Sequence, residues 1–280
     1  MAINGKTESY GIIGNPVRHS LSPVMHNAAF VELGMNRVYV PLEVRDVEQA
    51  IAGLRALGFR GISVTVPHKE TVIPFLDEID PVAEKIGAVN TLDFRKGENG
   101  QIIVHGLNTD WVSANTALAE KVNLQGNRVL VVGAGGSAKA VGFGLIEAEA
   151  EVIIANRTAE NGKALADLLG CGFVSLQEVA SVSADVLINT TSVGMEPDNE
   201  GIVVSPSLLS GFSVVMDIVY APLETRLLRE AKATGCQTID GLAMLLYQGI
   251  AQFELWTGEK APQDVMRLAL EEELQRWAAV

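Results

Sequence analysis

Residues 129–138, Val-Leu-Val-Val-Gly-Ala-Gly-Gly-Ser-Ala, constrain this chain more than any other stretch. An apolar strand runs into a glycine turn and then into a helical pattern. Gly133, Gly135 and Ala138 follow the Gly-x-Gly-x-x-Gly/Ala spacing. Each has its own physical use. Gly133 permits the tight turn off the strand, Gly135 lets backbone approach a pyrophosphate, and Ala138 lets the helix pack close to the sheet. The helix start then offers N–H groups and a positive dipole end to an anion. A plain strand–helix turn is the alternative. The context of strand before and helix after favours a dinucleotide site, with Ala134, Gly136 and Ser137 completing the turn.

The end of the next strand selects the dinucleotide. An acidic side chain about 20 residues on would hold a ribose 2′-hydroxyl, whereas an Arg accommodates a 2′-phosphate. This chain has Asn156-Arg157-Thr158 and no carboxylate there. Arg157 can hold a phosphate through several donors, with Asn156 and Thr158 beside it. NADP(H) is therefore the expected cofactor. The bland alternative is an exposed arginine ahead of a helix.

The rest of the chain alternates in the same manner. Strands are expected at 9–13, 38–42 and 61–66, with helices at 23–33 and 47–57 between them. Strand–helix–strand order argues for parallel sheet covered by helices on both faces. Residues 88–105 read instead as a hairpin turning at Gly97 and Gly100. A second alternation has strands at 128–132, 151–155, 185–189, 213–218 and 238–239, and helices at 136–148 and 159–169. A helix over 108–121 would connect the two runs. Residues 242–280 read as helical, broken at 258–262. The expected architecture is α/β in two domains with a deep cleft between them. Residues 1–108 form an α/β substrate domain, 109–241 a Rossmann-type NADP-binding domain, and 242–280 helices that return to the first.

Composition narrows the function. The chain has 280 residues and a formal net charge of −13, which disfavours nucleic acid and anionic membranes as partners. An anionic ligand then needs individual basic residues. Two cysteines, Cys171 and Cys236, and four dispersed histidines suggest neither a disulfide framework nor a metal site. No apolar run is long enough to span a bilayer, and the opening residues lack the basic and apolar segments of a signal peptide. A cytoplasmic protein is expected, as monomer or homodimer.

Two short motifs supply reactive groups. Val64-Thr65-Val66-Pro67-His68-Lys69 ends a strand and enters a helix, with Pro67 suited to the first turn. Lys69 would sit in that turn; alone, it reads as a solvated lysine. Asn108-Thr109-Asp110 opens the connecting helix and alone reads as a capping cluster. Together they offer more. Hydride arrival at a ketone builds charge on oxygen, which an ammonium can stabilise and protonate while a carboxylate orients it. His19-Ser20-Leu21-Ser22-Pro23 adds two hydroxyls before a helix that Ser22 would cap. His19 and His68 could be general acids, but read rather as structural or as supports for neighbouring site residues.

These motifs, in order, resemble the shikimate dehydrogenase family over essentially the whole chain. The resemblance rests on Asn15-Pro16, His19 to Pro23, Met25-His26-Asn27, Val64 to Lys69, Gly87 to Thr91, and Gly106 with Asn108-Thr109-Asp110. It continues through the glycine turn, Asn156-Arg157-Thr158, Asn189 to Ser192 with Gly194-Met195, Asp217 to Tyr220, Asp240-Gly241, Gln248, and Phe253 to Gly258. It implies NADPH-dependent reduction of 3-dehydroshikimate to shikimate, with Lys69 as acid/base held by Asp110. Ser20 and Ser22 would bind the substrate carboxylate near Tyr220. Thr65, Asn90, Asp110 and Gln248 would bind ring hydroxyls. Ile218 and Gly241 would line the nicotinamide site. Gln252, one helical turn after Gln248, would share its face and reach the substrate. One departure is Asn161, where members often carry a second basic residue; Lys163 and Lys139 are the local substitutes. Ala221 stands where Asn is frequent. The alternatives are a quinate/shikimate dehydrogenase with broader substrate or NAD use, the latter opposed by Arg157, and a non-catalytic NADP-binding sensor, which would need neither Lys69 and Asp110 nor the Ser20/Ser22 loop.

Overall fold

A computed structural model describes residues 3–278. The chain divides into two compact units. One holds the residues up to Thr109 together with those from Gln248 on, and the other holds Asp110–Tyr247.

The first unit is built on β1 (Glu8–Gly14), α1 (Ser22–Glu32), β2 (Arg37–Glu43), α2 (Val47–Leu57), β3 (Gly61–Val64), α3 (His68–Thr71), β4 (Glu78–Ile79), α4 (Pro81–Ile86), β5 (Thr91–Lys96) and β6 (Ile102–Leu107). Its sheet runs β2-β1-β3-β5-β6-β4. β1 pairs parallel with β2 and β3, but β5 is antiparallel to both β3 and β6. The sheet is therefore mixed, because the 91–107 hairpin is inserted into a parallel set. β4 and α4 escape the periodicity reading: a two-residue strand and a six-residue helix are too short to show a period. α4 declares itself by capping instead. The Asp80 carboxylate accepts from Val82 N and Ala83 N, and Gly87 closes the helix in the left-handed region at φ 68°.

Strand alternation builds two layers on this sheet. Ile13, Ile62 and Val64 face a core shared with Ile51 and Leu54 of α2. On the opposite side Tyr10, His26, Phe30 and Tyr39 make an aromatic layer. Ser63, flanked by apolar neighbours in a fully buried strand, points into that layer.

The second unit contains α5 (Asp110–Ala119), β7 (Arg128–Val132), α6 (Gly136–Glu147), β8 (Glu151–Asn156), α7 (Ala159–Leu169), β9 (Gly172–Ser175), β10 (Val186–Asn189), β11 (Val214–Asp217), α8 (Arg226–Ala233) and β12 (Gln237–Ile239). All its strands are parallel, in the order β12-β11-β10-β7-β8-β9. Neighbours of opposite parity serve opposite cores. Val129, Val131, Val186 and Ile188 pack on the face of α6 and α7, while Leu130, Val132 and Leu187 pack on the face of α8. β9 also escapes the sequence reading; it is a half-buried edge strand of four residues with little apolar signal.

Two long helices follow, α9 (Gly241–Thr257) and α10 (Gln263–Ala278). Gly258, at φ 72°, ends α9. The expected helix to Val280 is seen as far as Ala278; the final two residues lie outside those described. From Gln248 on, these helices belong to the first unit. Phe253 and Trp256 complete its aromatic layer, and Trp256 Nε1 donates to the Leu92 carbonyl at 3.1 Å. No helix among the described residues is long and apolar enough to cross a membrane.

Candidate active site

In a doubly wound sheet, ligands gather outside the carboxyl ends of strands where the strand order reverses. Here that point lies beside β7, which pairs with β8 on one side and β10 on the other. Four strands end there in Gly133, Asn156, Asn189 and Asp217 or immediately before them.

The glycine turn has the geometry its spacing predicts. Gly133 sits at φ 127°, and a Cβ there would come within 2.3 Å of Thr190 Oγ1. That hydroxyl is itself fixed, donating to the Val132 carbonyl at 2.7 Å. Gly135, the N-cap of α6, has open space where a Cβ would lie, and no side chain caps the helix. An anion can therefore approach the backbone of residues 133–137. At the end of β8, Arg157 is exposed, and Asn156 Nδ2 donates to the Thr158 carbonyl at 2.9 Å. Thr158 caps α7 by position only; its side chain does not take part. This donor set fits a phosphorylated ribose better than a 2′-hydroxyl.

Asp217 is the most perturbed carboxylate of this unit. It is fully buried at the end of β11. Its Oδ1 accepts from Asn189 Nδ2 at 2.9 Å and Val219 N at 3.0 Å, and its Oδ2 from Thr225 Oγ1 at 2.8 Å. Burial raises its pKa to about 6 against the opposing pull of those three donors. The network fixes the turn that carries Ile218 and Tyr220. Burial also raises the Tyr220 phenol to about 12. Gly241, at the start of α9, packs so closely on this turn that a Cβ would lie 2.4 Å from the Ile218 carbonyl oxygen. The structure thus brings Ile218 and Gly241 together.

In the first unit the residues converge on one sheet edge, made by the ends of β1, β3 and β6 and the start of β5. Beyond β3 the chain leaves the sheet at Thr65, two residues earlier than expected. Thr65 N donates to the Ile13 carbonyl at 2.9 Å. Pro67 stands before α3 rather than within its first turn. Lys69 does lie in α3, but that helix has only four residues and lends little dipole. What fixes Lys69 is its backbone, whose carbonyl accepts from Val89 N at 2.7 Å. His68 is buried with Nε2 2.8 Å from the Val44 carbonyl, a structural anchor as expected.

Ser22 does not cap α1. It is the first residue of the helix, and Leu21 holds the cap position with no side-chain bond to offer. Ser20 Oγ instead accepts from Ser22 N at 3.3 Å. Asn108 and Thr109, just ahead of α5, turn back toward the first sheet. Asn108 Nδ2 donates to the Ala88 carbonyl at 2.8 Å, and Thr109 N donates to Asn90 Oδ1 at 2.8 Å. Both brace residues 88–90. Thr109 Oγ1 reaches the Gln248 carbonyl at 3.4 Å, so Asn90, Thr109 and Gln248 meet. Asp110, buried, is the first residue of α5.

Gln252 has another place than the ligand contact its spacing from Gln248 suggests. Its side chain is 0 % exposed. Its Oε1 accepts from Ser63 Oγ at 2.7 Å, and its Nε2 donates to the Asn90 carbonyl at 3.2 Å and Thr91 Oγ1 at 2.9 Å. The whole amide is committed to protein. Its companions Tyr39, Ser63 and Thr91 are missed by sequence reasoning. The available signal is Ser63, a lone hydroxyl inside an otherwise apolar strand.

Comparison with known proteins gives the family. A family model described as the shikimate dehydrogenase substrate binding domain matches residues 12–92. One described as shikimate / quinate 5-dehydrogenase matches 115–197, and a shikimate 5'-dehydrogenase C-terminal domain matches 241–271. The chain is 47 % identical to the shikimate dehydrogenase (NADP(+)) of Pyrococcus furiosus, over 95 % of this chain and 96 % of that protein. Among solved structures, a shikimate dehydrogenase in complex with NADP+ aligns with a TM-score of 0.90 at 40 % identity, covering 98 % of each chain. The Thermus thermophilus shikimate 5-dehydrogenase, solved with NADP(H) and shikimate, aligns at 0.85 and 37 % identity, covering 95 % of this chain and 99 % of that one.

Proposed function

Because the chain belongs to the shikimate dehydrogenase family, we propose that it interconverts 3-dehydroshikimate and shikimate with NADP(H) in the cytoplasm, within the route to chorismate and aromatic amino acids. The observation that carries this reading is the chemistry of the first unit's sheet edge. Thr65, Asn90, Thr109 and Gln248 bring hydroxyls and amides to it, and Lys69 stands on the short helix that follows β3, its carbonyl held by Val89 N. Such a set suits a polyhydroxylated ring with one carbonyl to be protonated.

Ser20 and Ser22 receive the ring carboxylate, with Tyr220 contributing. Thr65, Asn90, Asp110 and Gln248 hold the ring hydroxyls. Ala134, Gly135, Gly136 and Ser137 bind the pyrophosphate by backbone N–H groups, while Gly133, whose own N–H donates to the Ala155 carbonyl at 2.9 Å, admits it by carrying no side chain. Asn156, Arg157 and Thr158 hold the adenosine phosphate, and Ile218 with Gly241 lines the nicotinamide side. NADPH, when bound, supplies the hydride. Lys69 stabilises the charge growing on the ketone oxygen and delivers a proton to it, then recovers one from water; Asp110 orients the ammonium. In the oxidative direction Lys69 takes the proton. The protein acts as a monomer or homodimer.

The test is loss of NADPH absorbance on adding 3-dehydroshikimate, with NADH in parallel. Rapid loss with NADPH alone supports reaction and cofactor together. Equal rates would overturn the cofactor preference. No reaction, from protein that binds NADPH, would overturn the substrate.

A further inference from the structure

Five side chains of the first unit form a hydrogen-bonded relay, and two backbone groups force its direction. The carbonyl of Asn90 can only accept and the N–H of Thr109 can only donate. Gln252 meets that carbonyl at 3.2 Å, so its nitrogen must face it. Its oxygen then faces Ser63, which must donate at 2.7 Å. The single Ser63 proton is now committed, so the Tyr39 phenol must donate to Ser63 Oγ at 2.6 Å. On the other side, the second Gln252 N–H goes to Thr91 Oγ1 at 2.9 Å. Thr91 in turn donates to Asn90 Oδ1 at 2.7 Å. Thr109 N reaches the same oxygen at 2.8 Å. With two donors on its oxygen, the Asn90 amide cannot flip without setting N–H against N–H and O–H.

All five members are buried, from Thr91 and Gln252 at 0 % exposed to Ser63 at 3 %. The hydroxyl of Ser22 also lies near enough to the Tyr39 phenol to favour its ionised form against the larger effect of burial. A polar chain of this kind gains little stability over apolar side chains of the same size, whereas a fully satisfied one fixes orientation.

We propose that Tyr39, Ser63, Gln252 and Thr91 are positioning residues. They lock the Asn90 side chain so that its nitrogen, one N–H of which donates to Thr109 Oγ1 at 2.9 Å, meets a ring hydroxyl as a donor. This rests on the proposed function for the identity of the ring, but the lock itself does not.

The test compares wild type with Thr91→Val, Thr91→Ser and Ser63→Ala. Kinetics are measured with shikimate and NADP+, and the Asn90 side-chain NH2 signals by NMR on the apo protein. Thr91→Val should raise KM for shikimate about tenfold, as for one lost buried hydrogen bond, and leave KM for NADP+ unchanged. Thr91→Ser should restore it. The Asn90 NH2 pair, single in wild type, should double or broaden in Thr91→Val. If Thr91→Val fails to fold, Ser63→Ala, one step further along, should show the same pattern at about threefold. A folded variant with wild-type KM and a single unchanged NH2 pair would overturn the proposal. A wild type inactive on shikimate would instead remove the substrate reading, and the NMR comparison would still decide the lock.

Discussion

His26 lies stacked on Tyr39, ring centroids 4.5 Å apart and planes 13° from parallel. It is fully buried, and neither ring nitrogen makes a hydrogen bond. Burial lowers its pKa to about 3, the larger effect, while the neighbouring Gln252 amide favours the charged form. The folded pKa is below the unfolded value, so its contribution is intact above about 6.5 and is lost as pH falls toward 3. His26→Phe removes two unsatisfied nitrogens from an aromatic layer. It should raise stability at pH 7 by about 1 kcal/mol and make unfolding less acid-sensitive below pH 6.5. Denaturant melts across that range check this; a loss above about 2 kcal/mol would mean the imidazole has a partner.

Asp217 behaves in the opposite sense. Its folded pKa, about 6, exceeds the ordinary 3.8. The stabilisation from protonating it is complete below pH 3.8 and lost as pH rises through 6. Relative to Asp217→Asn, wild type should lose up to about 3 kcal/mol between pH 4 and pH 7. Parallel pH-dependent melts of the two proteins give the difference. A flat difference would show that Asn189, Thr225 and Val219 hold the carboxylate ionised throughout.

Lys69→Ala should lower kcat by at least about a hundredfold while the Kd for NADPH stays within a factor of two or so. Stopped-flow turnover and fluorescence titration separate the two. Unchanged kcat would remove Lys69 from proton transfer.

Arg157 is exposed, so replacing it disturbs little else. Arg157→Ala should cut the ratio of kcat/KM for NADPH over NADH by about tenfold or more, chiefly through the KM for NADPH. An unaltered ratio would transfer discrimination to Lys163 or Lys139.

Gly133→Ala forces a Cβ against Thr190 Oγ1 from a backbone angle that side chains rarely adopt. Loss of measurable NADPH binding, together with a fall of about 2 kcal/mol or more in stability, is the expected result. Calorimetric titration and a thermal melt read both; normal binding would mean that the turn relaxes.

The second unit is legible in its long strands and in α6 and α7, whereas the four-residue β9 and the eight-residue α8 go unread. β7 and α7 have the bounds that periodicity predicts, because long apolar strands and a helix closed by Gly170 leave strong local marks. The glycine turn and Arg157 are legible for the same reason: local backbone demands are written in consecutive residues. The first unit is less so. Residues 91–107 are readable as a hairpin, but nothing local says that the hairpin joins a parallel sheet through β3. Ser22 reads wrongly as a cap because a serine before an apolar run carries the same signature whether it caps or begins the helix. Gln252 reads as a ligand contact, whereas its amide bonds to Ser63, Asn90 and Thr91, because spacing fixes the face of a helix, not what lies against it. Its partners Ser63 and Asn90 are more than 150 residues away in sequence.

That separation bears on how the protein is made. Tyr10, Phe30 and Tyr39 leave the ribosome early, yet the rings that cover them, Phe253 and Trp256, come near the end. Residues 110–247 can fold as a continuous segment in between. At ordinary translation speeds the first unit waits on the order of ten seconds with an aromatic face uncovered. A nascent chain stalled before residue 253 should therefore be a substrate for chaperones that hold exposed apolar surface, and the full chain, with α10 also laid against α1, should not.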